Sequence, residues 1–137
     1  MADDQLKYLE FLQATIARMA SNSFVVKGWS VALGTAVLGF SVKDGNWALA
    51  LIAMLPALAF WALDSYYLML ERQFRGLWVK ALKPDATLFD MNPGELDPEE
   101  WLEAAQRHAV VLVHAPVLAL SPLVALALWF FHSGAAH

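Results

Sequence analysis

Three side chains invite a chemical reading because each lies in or beside apolar sequence: Lys27, Asp64 and His114. Asp64 comes seventeen residues after Trp47, among Phe60, Trp61, Leu63, Tyr66 and Tyr67. A carboxylate at membrane depth is costly and marks a functional site by default. Two roles stay open for it. It could anchor a helix by pairing with Lys27 or Arg72, or it could join an acidic ring that selects cations in an oligomer. Lys27 is the mirror case, a lysine near the start of another apolar run that can snorkel to an interface. Both sit at the same end of an expected hairpin, so the geometry allows a Lys27–Asp64 contact. His108 and His114 flank a third apolar stretch, where a histidine held between helices is the plain expectation for His114.

Other chemistry finds little footing. Arg107 and His114 match the loose arginine–histidine spacing of some ribonuclease folds, but the apolar Ala109–Val113 between them belongs in a bilayer, out of reach of RNA. No phosphate loop rich in glycine, no acid/base pair and no Ser–His–Asp arrangement can be placed. There is no cysteine, and His132 and His137 are too sparse for a metal site. The expectation is a protein that is not an enzyme and carries no cofactor or metal.

The elements that must hold these residues follow from composition. Of 137 residues, 59% are hydrophobic and 16% charged, against roughly 25% charged in ordinary soluble domains. A net charge of −4 argues against direct nucleic-acid binding, which needs a basic footprint. Apolar runs cover 24–42, 47–63 and 109–131. Each is about long enough for a helix to cross a ~30 Å hydrocarbon core. The fold class expected is an all-α integral membrane protein with three transmembrane helices, an N-terminal cytoplasmic amphipathic helix and a cytoplasmic extension of the second span. Eight of the nine basic residues fall on one side of such a chain, with only Lys43 on the other. That places the N-terminus in the cytoplasm and the C-terminus in the periplasm of a bacterial inner membrane.

The single membrane domain then divides into a helix at 3–20, span 1 at 24–42, span 2 with its extension at 47–82, an acidic linker at 84–97, and a juxtamembrane helix running into span 3 over 98–131. Lys43-Asp44-Gly45-Asn46 makes the hairpin turn. Lys83-Pro84 stops the second helix. Asp97 caps the next, with Pro98 at its first position and Glu100 completing a capping-box-like arrangement. Leu9, Leu12, Ile16 and Met19 form one narrow apolar seam, which can lie on a membrane, pack on the other cytoplasmic helix or join subunits. Gly28, Ala32, Gly34, Ala36 and Gly39 supply small residues for close helix contact, with Ala32 and Ala36 as a small-xxx-small pair.

The run Arg18-Met19-Ala20-Ser21-Asn22-Ser23-Phe24-Val25-Val26-Lys27-Gly28-Trp29, with Phe60–Tyr67 and Glu71-Arg72-Gln73-Phe74-Arg75, resembles small bacterial membrane proteins of antiviral defence loci. The layout is similar to SLATT-type two-helix effectors over about residues 5–82, and the third span departs from that pattern. The resemblance implies an oligomeric membrane effector, or an accessory to a soluble defence enzyme.

The function expected is therefore an oligomer that forms a pore or perturbs the inner membrane. Its partners are the lipid bilayer and further copies of itself. Lys27, Asp64 and His114 are the pore or gating candidates. Leu9, Leu12, Ile16, Met19, Ala32 and Ala36 are the oligomer-contact candidates. The rival is an anchor that docks a soluble defence protein through Asp97, Glu100 and Trp101 on the acidic segment.

Overall fold

A computed structural model describes residues 2–134, all-helical and with no strand among them. Helix α1 runs unbroken over Ala2–Asp44, 43 residues, or about 65 Å at 1.5 Å per residue. The expected separation between 3–20 and 24–42 is absent, because Ser21-Asn22-Ser23 contains neither proline nor glycine to interrupt the hydrogen-bond ladder. Gly45, in the left-handed region at φ 64, turns the chain. The Asn46 side chain then accepts from the amides of Ala48 and Leu49 at 3.1 and 3.3 Å, capping the N-terminus of α2 (Trp47–Ile52).

The second apolar segment is two helices rather than the single one expected. Helix α3 (Met54–Ala81) follows α2 after Ala53, which keeps helical dihedrals of φ −59 and ψ −21. Pro56 explains the interruption: it lacks an amide proton and its ring crowds the carbonyl four residues back, at Ile52. Helix α4 (Pro98–Ala105) and helix α5 (His108–Gly134) are likewise distinct, parted by a turn at Gln106-Arg107 where one helix was expected. The amides of Val110 and Val111 both bond the Arg107 carbonyl as α5 begins.

Three segments are long and apolar enough to cross a membrane: Asp3–Asp44, Trp47–Ala81 and His108–Gly134. Burial divides the molecule into two chemically opposite parts. Along α1, Leu12, Ile16, Met19, Ser23, Val26, Ser30, Gly34 and Ser41 follow one another at three- and four-residue spacing, with one gap of seven, and line its inward face. At the N-terminal end this seam joins Tyr8, Phe74, Leu77 and Ala81 in a conventional apolar core. Beyond Met19 most of the inward residues are small or polar: Ser23, Ser30, Ser41, Ala50, Ala57, Asp64, Ser65, His114 and Ser121 are buried, beside Val26, Val110 and Val117. The large apolar side chains there point outward instead, with Phe24 78%, Leu112 71% and Phe131 79% exposed.

The headpiece formed by the two ends of α1 and α3 is strapped by residues 82–97. Gln5 Nε2 donates to the Ala81 carbonyl at 2.8 Å, and Gln73 Nε2 to the Glu95 carbonyl at 3.2 Å. The Tyr8 hydroxyl donates to the Asp90 carbonyl. Burial, and then the Asp90 carboxylate, push the Tyr8 hydroxyl above its ordinary range. Phe89 lies at φ 63, and its ring packs on Tyr8 and Phe11 at centroid distances of 5.8 and 6.4 Å.

Candidate functional site

Lys27, Asp64 and His114, singled out in the sequence, meet in one buried node. Lys27 on α1 donates from Nζ to Asp64 Oδ1 on α3 at 2.7 Å, and to the Ser23 hydroxyl one turn earlier at 2.7 Å. The Ser23 hydroxyl donates to the same Oδ1. The other carboxylate oxygen, Oδ2, lies 3.1 Å from Nε2 of His114 on α5. Ser30 Oγ lies 2.8 Å from the other ring nitrogen, Nδ1. Asp64, His114 and Ser30 are fully buried, while the Lys27 side chain keeps 20% of its surface.

The chemistry of the donors fixes the arrangement. A carboxylate paired with lysine only accepts, so the His114 proton belongs on Nε2. The other ring nitrogen, Nδ1, shares a hydrogen bond with the Ser30 hydroxyl. Every buried side-chain nitrogen and oxygen among the described residues has a partner. The node thus ties α1, α3 and α5 together around one carboxylate, with no buried polar group left over among the described residues.

Two indoles brace this node from the headpiece side. Trp61 stacks on His114 with centroids 6.2 Å apart and planes at 17°, and donates from Nε1 to the Ala105 carbonyl at 3.0 Å. Trp101 on α4 donates in the opposite sense, to the Ala62 carbonyl of α3 at 3.2 Å. The short helix α4 is therefore locked to α3 from both sides, each aromatic body packed and each N–H used.

Ser30, His114 and Asp64 lie in the order nucleophile, base and orienting acid, an arrangement that sequence reasoning did not place. Geometry also shows what this triad lacks. Ser30 has no exposed surface, neither cleft in the described residues touches it, and it lies mid-helix, where the backbone amides serve the helix ladder. A reacting carbonyl has neither an entry nor an oxyanion hole here. What the three residues do in this conformation is hold helices together. A trace of the arrangement was present in the sequence: Ser23 and Ser30 stand seven residues apart, as do His114 and Ser121, and all four face inward.

The remaining candidates are distributed by the fold. Leu12 and Ile16 are buried against Phe74, Leu77 and Ala81 of the same chain, with Leu9 and Met19 packed on them. The seam offered for subunit contact is therefore occupied internally. Ala32 and Ala36 face outward. Asp97 caps α4 by accepting from the Glu99 amide at 2.9 Å. Glu100 does not close a capping box; its carboxylate accepts from Gln73 Nε2 at 2.8 Å. With Trp101 bonded to Ala62, each of the three docking candidates has an intramolecular partner. No group of three metal-ligating side chains occurs among the described residues, and His137 lies outside them.

Between α3 and the strap lies a cleft of about 860 Å³, with Gly76 and Leu77 on one side and Pro93, Gly94, Glu95 and Glu100 on the other. Comparison with protein-family models, curated proteins and solved structures gives no match.

Proposed function

We propose that this chain is a three-span protein of the bacterial inner membrane, with its N-terminus and headpiece in the cytoplasm and its C-terminus outside. It acts there as an oligomeric effector that opens or disturbs the membrane in antiviral defence. The observation that carries the reading is the reversal of polarity along one bundle. Between residues 24 and 131 the helices turn Phe24, Leu112 and Phe131 outward and Ser30, Asp64 and His114 inward, which is favourable only where the surroundings are hydrocarbon. The headpiece instead buries an apolar core of Tyr8, Leu12, Ile16, Phe74, Leu77 and Ala81, as water favours.

Three helices filled by their own side chains enclose no water path, so permeation requires assembly. The outward face of α1 suits close helix contact, since Cβ atoms placed at Gly28 and Gly39 would meet nothing within 4 Å. In this scheme the node of Lys27, Asp64 and His114 holds the single chain closed. The resemblance to SLATT-type effectors supports the assignment to defence. A second reading, a membrane anchor for a soluble defence enzyme, draws its support from the headpiece cleft.

The absence of cysteine makes topology directly testable. In intact spheroplasts an impermeant maleimide should label Asp44→Cys and Ser133→Cys, and label Ala14→Cys and Glu99→Cys only after permeabilisation. Labelling of Ala14→Cys from outside would invert the topology. The effector role is read separately, as dye leakage from vesicles containing the purified protein; intact vesicles at every protein density would remove it.

A further inference from the structure

We infer that the headpiece cleft is a docking site for a basic, extended segment of a cytoplasmic partner. The inference rests on the proposed topology, and it deepens the anchor reading rather than the pore reading. The cleft is formed between one face of α3 on one side and the strap with α4 on the other. Gln73 reaches across it to the Glu95 carbonyl and the Glu100 carboxylate, and Trp101 fixes α4 behind it. Leu96, 67% exposed, gives the cleft an apolar edge that an extended chain can cover, while Met69 and Leu77 beneath it are already buried.

Charge selects the occupant. Asp90, Glu95, Asp97, Glu100 and Glu103 line the cleft against only Arg72 and Lys80, an excess of three negative charges. Arg72 and Glu103 neutralise each other at 3.2 Å, which leaves Asp90, Glu95, Asp97 and Glu100 against Lys80 and keeps the same negative excess. A segment carrying lysine or arginine, with small or apolar residues between, matches both the walls and the apolar edge. Gly76 is the place where α3 opens to the guest, since a Cβ there would meet nothing within 4 Å.

The full chain in phosphatidylcholine nanodiscs, which carry no net lipid charge, is titrated with fluorescein-labelled hepta-lysine and read by anisotropy. Saturable binding is expected, weakened about tenfold or more from low to high salt because the contacts are ionic. Gly76→Leu narrows the cleft without changing its charge and should weaken saturable binding; Glu95→Gln should weaken binding several-fold. Absence of saturable binding to the wild type would overturn the inference. So would binding that Gly76→Leu leaves unchanged, which would reduce the effect to adsorption on an acidic surface, or a preference for hepta-glutamate. Maleimide topology is measured independently, so a failure of docking is distinguishable from a failure of the membrane reading.

Discussion

Asp64 accepts from three side chains on two helices, Ser23, Lys27 and His114, so removing its carboxylate strands two of the largest polar groups in the node. Asp64→Leu is expected to destabilise the protein by about 3–5 kcal/mol, because an uncompensated charge is left near the core. Replacing both members of a buried pair by apolar residues is often close to neutral. Lys27→Met/Asp64→Leu should therefore recover the part of the loss due to the unpaired lysine in a thermal melt followed by tryptophan fluorescence, while His114 and Ser23 still lack their acceptor. If the double variant melts as low as the single one, Lys27 and Asp64 do not act as a unit. The same double variant separates a latch from a brace: if the node holds the chain closed, the folded variant should cause more leakage than the wild type at equal protein density, and unchanged leakage would make the node a brace only.

How much of this node was legible depends on what fixes each contact. Lys27 and Asp64 were paired by depth alone, since both lie near the same end of a hairpin. His114 could be placed between helices but not assigned to Asp64, fifty residues earlier, because sequence does not fix the rotation of one helix against another. Ser23 and Ser30 escaped notice for a chemical reason. A serine in an apolar run reads as a small residue, and its hydroxyl matters only once a partner arrives from another helix.

At the level of the helix, three glycines that look alike in sequence have different jobs. A Cβ on Gly34 would come within 2.7 Å of Val117 Cγ1, whereas Gly28 and Gly39 face open space. Gly34→Ala should therefore force α1 and α5 apart and cost roughly 1–3 kcal/mol, an effect relieved by adding Val117→Ala. Gly39→Ala, the control, should leave the melting temperature in place or raise it slightly, since alanine is the better helix former. Equal losses at both positions would show that helix propensity, not the α1–α5 contact, governs the response. The element boundaries teach the same lesson. Asp97, Pro98 and Lys83-Pro84 acted locally, as caps and stops do, and were readable. The breaks at Ala53 and at Gln106-Arg107 were not: proline inside an apolar run is compatible with a continuous helix, and a turn without glycine or proline carries no signal.

For the whole molecule, the apolar seam of α1 shows where local pattern stops being informative. Leu12 and Ile16 have the spacing of a subunit contact, yet α3 returns beside them and uses that surface for the fold. What remains for association is the outward face around Ala32 and Ala36. If assembly through that face makes the effector, native mass spectrometry of gently extracted protein should show four or more copies. Replacing both alanines with leucine should lower the copy number while leaving the melt unchanged. A monomer or dimer, or a stoichiometric complex with a soluble protein, would sink the homomeric pore and favour the anchor.

The unbroken run of α1 carries a mechanical consequence. A continuous hydrogen-bonded helix resists twisting, so its two ends cannot be set independently. Tyr8 and Leu12, in the headpiece, and Ser30 and Gly34, beside His114 and Val117, lie on one rod. A torque applied to the headpiece end would turn the far end with it, drawing Ser30 away from the histidine and Gly34 from the valine it accommodates. The molecule is thus built as a crankshaft, in which a partner gripping the headpiece has a direct mechanical hold on the buried charges at the far end.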